Sequence, residues 1–183
     1  MLDNTFLSEG LTDYLVASPG ILIVAIGLTA LLESLAVVGL VVPGVAILFG
    51  LCILAGQIQV SISLLIISGI IGSIIGDFAS FWLGKHLQND LLLWGPIKKR
   101  PLLIHRASRM CEQYGIVSLL IARFIGPLRP LVPITAGMLD FPWIKFSLVA
   151  CVGACLWAPV YLLPGYYSTE AFTWVVDWVK SQF

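Results

Sequence analysis

Apolar residues dominate this chain in long runs, and the breaks between the runs carry the information. Residues 21–56 are apolar apart from Glu33 and a few small residues. One bilayer-spanning helix takes about 20 residues, so this stretch is too long for one span and too short for two with a turn. Pro43 and Gly44 interrupt it as a strong breaker pair. The pattern predicts a helix ending near Glu33, then a re-entrant hairpin with its tip at Pro43–Gly44. Residues 61–83 read as one full span, with Trp82 and Lys85 at its end. Glycines at 69, 72 and 76 give that span a small-residue face suited to close helix contact.

The chain turns polar from Gln88 to Gly115. Pro101 opens a predicted helix there, with Leu103, Ala107, Met110, Cys111 and Tyr114 on one face and His105, Arg106, Arg109 and Glu112 on others. Such a helix suits the inner membrane surface, and a solvated connector fits the same residues equally well. Residues 116–138 are apolar again, broken by Gly126, Pro127, Pro130 and Pro133. Residues 142–163 form a second full span, closed by Pro164 and Gly165. A separate interfacial helix is predicted over 168–181, with Ser168 as its N-cap and Trp174 and Trp178 as anchors.

Composition turns these runs into a membrane reading. The 183 residues are 59% hydrophobic and 11% charged, against about 25% charged in soluble domains. Mean hydropathy is +1.00. The expectation is one all-α integral membrane domain over 1–183, with a connector over about 86–115. Six of the ten Lys and Arg residues lie between Lys85 and Arg109, so the positive-inside rule places the central segment in the cytoplasm. The opening residues MLDNTFLSEG lack a basic start and an apolar core, so no cleavable signal is expected. The four cysteines have no His or acid nearby in a ligand pattern and read as packing residues. No metal, cofactor or nucleic-acid partner is expected, and a homo-oligomer stays open.

The pieces repeat. Glu33 and Arg123 lie 90 residues apart, as do Pro43 and Pro133. At an offset of 81, Gly56 matches Gly137, Gly72 matches Gly153 and Gly84 matches Gly165. Each half, about 21–85 and 116–167, becomes a broken hairpin followed by one full span. A single crossing per half makes the second half enter from the opposite side. That is an inverted repeat, which places a site between discontinuous helices near the bilayer midplane.

Four charges fall deep inside the apolar segments, Glu33, Asp77, Arg123 and Arg129, while Lys85, Asp140 and Lys145 lie near span ends and read as snorkelling or boundary residues. A charge at that depth costs about 2.5–3.5 kcal/mol even on the lenient insertion scale, so such groups face a partner or a watery cavity. Guanidinium groups beside a proline-broken backbone point to an anion, phosphate above all. Arg123 and Arg129 are the expected binding residues, with backbone amides freed at the breaks and the Thr135 hydroxyl in support. Glu33 and Asp77 are the expected charge-balancing or proton-coupling groups. Internal salt bridges that only hold the hairpins together are the rival reading.

The segments ESLAVVGLVVPG, GDFASFWLGKH and ARFIGPLRPLVPITAGMLDFPWIKF resemble the DedA family of bacterial inner-membrane proteins, also called the SNARE-associated or VTT-domain family. The resemblance covers about residues 25–166. It implies paired re-entrant hairpins and a role in lipid translocation, with undecaprenyl phosphate, the carrier lipid of cell-wall synthesis, as one substrate and phosphatidylethanolamine handling, envelope integrity and proton-motive force linked to members. It carries the family's functional acid onto Glu33 and its two arginines onto Arg123 and Arg129. Several members have an acid after the Pro-Gly of the first hairpin, where this chain has Val45. A valine cannot titrate, so a relay through that position is not available here. Three rivals remain at this stage: an ion-coupled carrier of a small solute, an intramembrane phosphatase, and a membrane scaffold that tolerates a Glu33/Arg123 charge swap. The phosphatase is the weakest, because His86 and His105 both lie in the polar middle, away from the arginines.

Overall fold

The computed structural model describes residues 18–35, 38–39, 44–93, 101–125 and 128–182. These form seven α-helices: α1 (Gly20–Ser34), α2 (Gly44–Gln57), α3 (Ile62–Leu93), α4 (Pro101–Tyr114), α5 (Ser118–Ala122), α6 (Leu131–Met138) and α7 (Trp143–Gln182). A 3₁₀ turn, Gly115–Val117, joins α4 to α5. Within them, Ile62–His86 and Trp143–Ser168 are long and apolar enough to cross a membrane.

The outward faces explain the apolar composition. Leu64, Ile67, Ile71 and Ile75 stand exposed along α3, and Ile144, Leu148, Val152, Leu156 and Val160 along α7. Spacings of three and four residues make each set one stripe of a helix. A soluble protein buries such stripes, whereas lipid tails solvate them. Among the described residues, α1 carries a third stripe at Ile21, Val24, Leu28 and Leu32.

Inside, α1 packs along α3, α2 packs on α7, and α6 packs on α3. Close backbone approach sets these contacts. A side chain at Gly72 would meet the Gly27 carbonyl oxygen, and one at Gly137 would meet the Phe81 carbonyl oxygen. Helices gain attraction in lipid mainly through such tight packing, so the small-residue face of α3 finds its partner in α1.

Two apolar clusters result. One joins Phe81 of α3 with Leu131 and Val132 of α6 and Phe146 of α7. The other joins Leu22 and Ile26 of α1, Leu48 and Cys52 of α2, Leu65 of α3, and Trp157 and Leu162 of α7. Helix α3 passes from the second cluster to the first across Ser73 and Asp77, both buried. At 1.5 Å per residue, about 17 Å of helix runs from Ile62 to Ser73 and about 14 Å from Asp77 to His86, so the polar layer lies near the middle of the span.

Several expectations change. Helix α3 continues to Leu93, so the first part of the polar connector is helical. Helix α4 begins at Pro101 as predicted, but Ala107 and Cys111 of its apolar face pack against α6 within the protein, while Tyr114 is exposed. The second long helix does not stop at Pro164–Gly165. It runs unbroken to Gln182, which makes Ser168 an interior residue whose hydroxyl donates to the Gly165 carbonyl instead of capping. Contacts beyond the proline hold the helix on course: Gly165 packs against Cys52 and Phe49 of α2, and the Tyr166 hydroxyl donates to the Val60 carbonyl at 2.8 Å. Pro133 is the third residue of α6, where a missing N–H leaves no intrahelical bond unmade, so it starts a helix instead of breaking one. Of the cysteines, Cys52 and Cys111 are buried and Cys155 is exposed.

Candidate functional site

The last turn of α1 brings Glu33 and Ser34 to the polar layer, and the chain turns extended at Leu35. A carboxylate at a helix C-terminus opposes the helix dipole, so Glu33 needs a cation from elsewhere. Gly44, the first residue of α2, lets that helix lie against it: a Cβ there would sit 2.8 Å from Glu33 Cγ. Helix α3 contributes Ser73 and Asp77, one turn apart and on one face. Arg123 sits at the C-cap of α5, where a cation is favoured, and Arg129 comes just before Pro130, the N-cap of α6.

These side chains converge. Arg123 Nη2 donates to Asp77 Oδ2, and Arg129 Nη1 pairs with Glu33 Oε1 at 2.5 Å. The second contact is an ion pair by distance without the alignment of a hydrogen bond. All four charged residues are 3–7% exposed. Removing such charges from water costs several kcal/mol each, and only close pairing with further hydrogen bonds offsets it. Arg129 Nη2 donates to Ser34 Oγ at 3.1 Å and Arg123 Nη1 to Ser73 Oγ at 3.2 Å. The Arg129 guanidinium also lies over the Trp157 ring, 3.7 Å from its centroid. Gly153 makes room for Arg123, since a Cβ there would come within 3.0 Å of its Nε.

A cavity of about 10 Å³ adjoins both arginines, lined by Asp77, Leu119, Arg123, Arg129, Pro133 and Ala150. It holds roughly one water molecule. In the same cluster Arg129 Nε, Arg129 Nη1, Glu33 Oε2 and Trp157 Nε1 are buried without a hydrogen-bond partner. Buried polar atoms are nearly always paired, and Arg129 Nη1 at least has its ion pair with Glu33; the other three, Arg129 Nε, Glu33 Oε2 and Trp157 Nε1, mark capacity for a further ligand.

The structure therefore joins Glu33, Asp77, Arg123 and Arg129, in pairs that join Glu33 to Arg129 and Asp77 to Arg123. It does not bring Thr135 to them. That hydroxyl donates to the Val132 carbonyl and contacts Cys111 Sγ at 3.4 Å. Pro43, Gly126 and Pro127 lie outside the described residues. Sequence reasoning missed Ser34, Ser73 and Trp157. The i, i+4 relation of Ser73 to Asp77 was available as a signal, whereas nothing in an apolar span distinguished Trp157.

Lipid-ready stripes around a buried, charge-paired layer define an all-helical membrane protein with a polar site midway along its two long helices. The chain belongs to the VTT-domain, or DedA, family: the VTT domain matches residues 42–167. It is similar to Inner membrane protein YabI of Escherichia coli K12, 43% identical over 143 residues that cover 78% of this chain and 56% of the relative. An uncharacterized membrane protein of Buchnera aphidicola subsp. Acyrthosiphon pisum is 34% identical over 159 residues, 87% of this chain and 62% of the relative. Protein DedA of Escherichia coli K12 is 27% identical over 158 residues, 84% of this chain and 72% of the relative. The chain thus spans less than two thirds of the length of the first two relatives. No solved structure matches it.

Proposed function

We propose that this protein is a transporter and not an enzyme, moving a phosphate-bearing lipid, undecaprenyl phosphate or a related phospholipid, across the bacterial cytoplasmic membrane. The observation that carries this reading is a pair of buried arginines beside the midpoints of two apolar helices, with Arg129 Nε unpartnered. Guanidinium groups match phosphate oxygens in charge and geometry. In the paired state the cluster is neutral. An incoming phosphate takes over the arginines, and Glu33 and Asp77 release them and take up protons to keep the layer near neutral. Val45 is 43% exposed on α2 and contributes nothing to that exchange. The lipid tail stays in the bilayer while the head crosses, so the two halves part to open the site sideways.

Packing supports an inverted repeat of two re-entrant hairpins. Helix α2 of the first half lies on α7 of the second, and α6 of the second lies on α3 of the first. Gly84 of α3 meets Ile134 of α6, and Gly165 of α7, its counterpart at the offset of 81, meets Cys52 of α2. The basic segment from Lys85 to Arg109 then faces the cytoplasm.

The test removes each charge together with its partner, so that no lone charge stays buried. Full-length protein carrying Arg123→Ala with Asp77→Asn, or Arg129→Ala with Glu33→Gln, is reconstituted in liposomes with undecaprenyl phosphate. Transport is expected to fall at least tenfold in both. Native rates in both variants rule out a head-group role for the arginines.

A further inference from the structure

The two ion pairs are not independent. Ser34 Oγ and Ser73 Oγ lie 3.2 Å apart, and each accepts a hydrogen bond from a different arginine. Both serines are fully buried. Their hydroxyls therefore occupy the space between the two guanidinium groups. Ser80 donates to the Ser34 carbonyl at 2.9 Å and so ties the end of α1 to α3 at this point. A hydroxyl has one proton and two lone pairs. With both oxygens accepting from arginine, one proton closes the bridge and the other can rotate.

From this we infer that Ser34 and Ser73 are binding residues of the anion site and set its preference for a phosphate over a carboxylate head group. The inference rests on the reading of the arginine pair as a phosphate site. A carboxylate has two oxygens in one plane, and a single guanidinium satisfies it. In the protein each acid meets one arginine through one oxygen, Glu33 Oε1 on Arg129 and Asp77 Oδ2 on Arg123. A phosphate monoester has three terminal oxygens in a tetrahedral array. An anion that engages both arginines turns at least one oxygen toward the gap between them, where the hydroxyls stand. Leaving that oxygen buried without a donor is costly, and a rotated serine proton removes the cost. A carboxylate has no third oxygen to present and gains nothing from the serines. The unpartnered Nε of Arg129 and the adjoining cavity support a layer that accepts groups beyond its internal pairs.

The experiment uses the purified full chain in detergent with two ligands of equal tail length, dodecyl phosphate and dodecanoate. Affinities are read by calorimetric titration. The native protein is expected to bind the phosphate at least tenfold more tightly. Ser34→Ala/Ser73→Ala is expected to weaken phosphate about tenfold and to leave dodecanoate within twofold. Each single alanine variant is expected to give about a threefold loss for phosphate alone, which serves if the double variant does not fold. Unchanged discrimination in the serine variants overturns the inference. Equal weakening of both ligands also overturns it, because that is the mark of a merely structural role. Failure of the native protein to bind dodecyl phosphate, or full binding by Arg123→Ala/Asp77→Asn, counts against the phosphate site itself.

Discussion

Arg129 meets three different demands with one flat side chain: an ion pair to Glu33, a hydrogen bond to Ser34, and a ring face from Trp157. Guanidinium is weakly hydrated, so an aromatic face replaces part of its lost water, worth about 0.5–2 kcal/mol. Trp157 is fully buried, so it also packs the core. Trp157→Phe keeps a ring face and loses volume, while Trp157→Leu loses both. Transport per folded protein is expected to stay within threefold of native for Phe and to fall at least tenfold for Leu. Equal activities in the two variants would show that only packing matters. The arginines and Glu33 were legible as single residues because charge in an apolar run stands out. Trp157 was not, because its role comes from a neighbour about 30 positions away in the chain.

At the level of elements, glycine decides how closely the helices lie. The small face at 69, 72 and 76 is visible in the sequence, yet its partner is not. The structure supplies α1, with the Gly27 carbonyl against Gly72 and the Leu31 carbonyl against Gly76. Backbone cannot yield to a new side chain, so Gly72→Leu is expected to cost at least the 1–3 kcal/mol typical of overpacking. The measurement is thermal denaturation in detergent, with Gly50→Leu as control. Nothing lies near Gly50, so its variant should keep the native Tm while Gly72→Leu falls well below it. Pro164 shows the opposite lesson. Read locally it ends a helix, but Gly165 and Tyr166 just beyond it are held against α2 and Val60, and the helix continues. Prolines are tolerated in such helices where neighbouring protein compensates for the lost bond.

Across the whole molecule, each half lends a short helix to the long helix of the other, and the charged layer lies where the two apolar clusters meet. Pairing of all four charges also suits a static clamp, and exchange of one pair separates clamp from carrier. Glu33→Arg with Arg129→Glu keeps the charge balance and is expected to preserve the fold, read as an unchanged elution profile and Tm within a few degrees. Lipid transport in liposomes is expected to drop at least tenfold, because the cation has moved to α1. Native transport in the swapped protein would identify a clamp. By itself the sequence determined the membrane setting, the two long helices, the breaks around Gly44 and Pro130, and which four residues carry buried charge. Those features follow from local quantities: hydropathy, run length, proline geometry and the cost of charge in an apolar medium. Only the tertiary structure decided that Glu33 pairs with Arg129 and Asp77 with Arg123, that Ser34 and Ser73 stand between the arginines, and that α7 passes through Pro164. Each of those depends on contacts between residues far apart in the chain, and no local pattern encodes which distant partner a buried charge will meet.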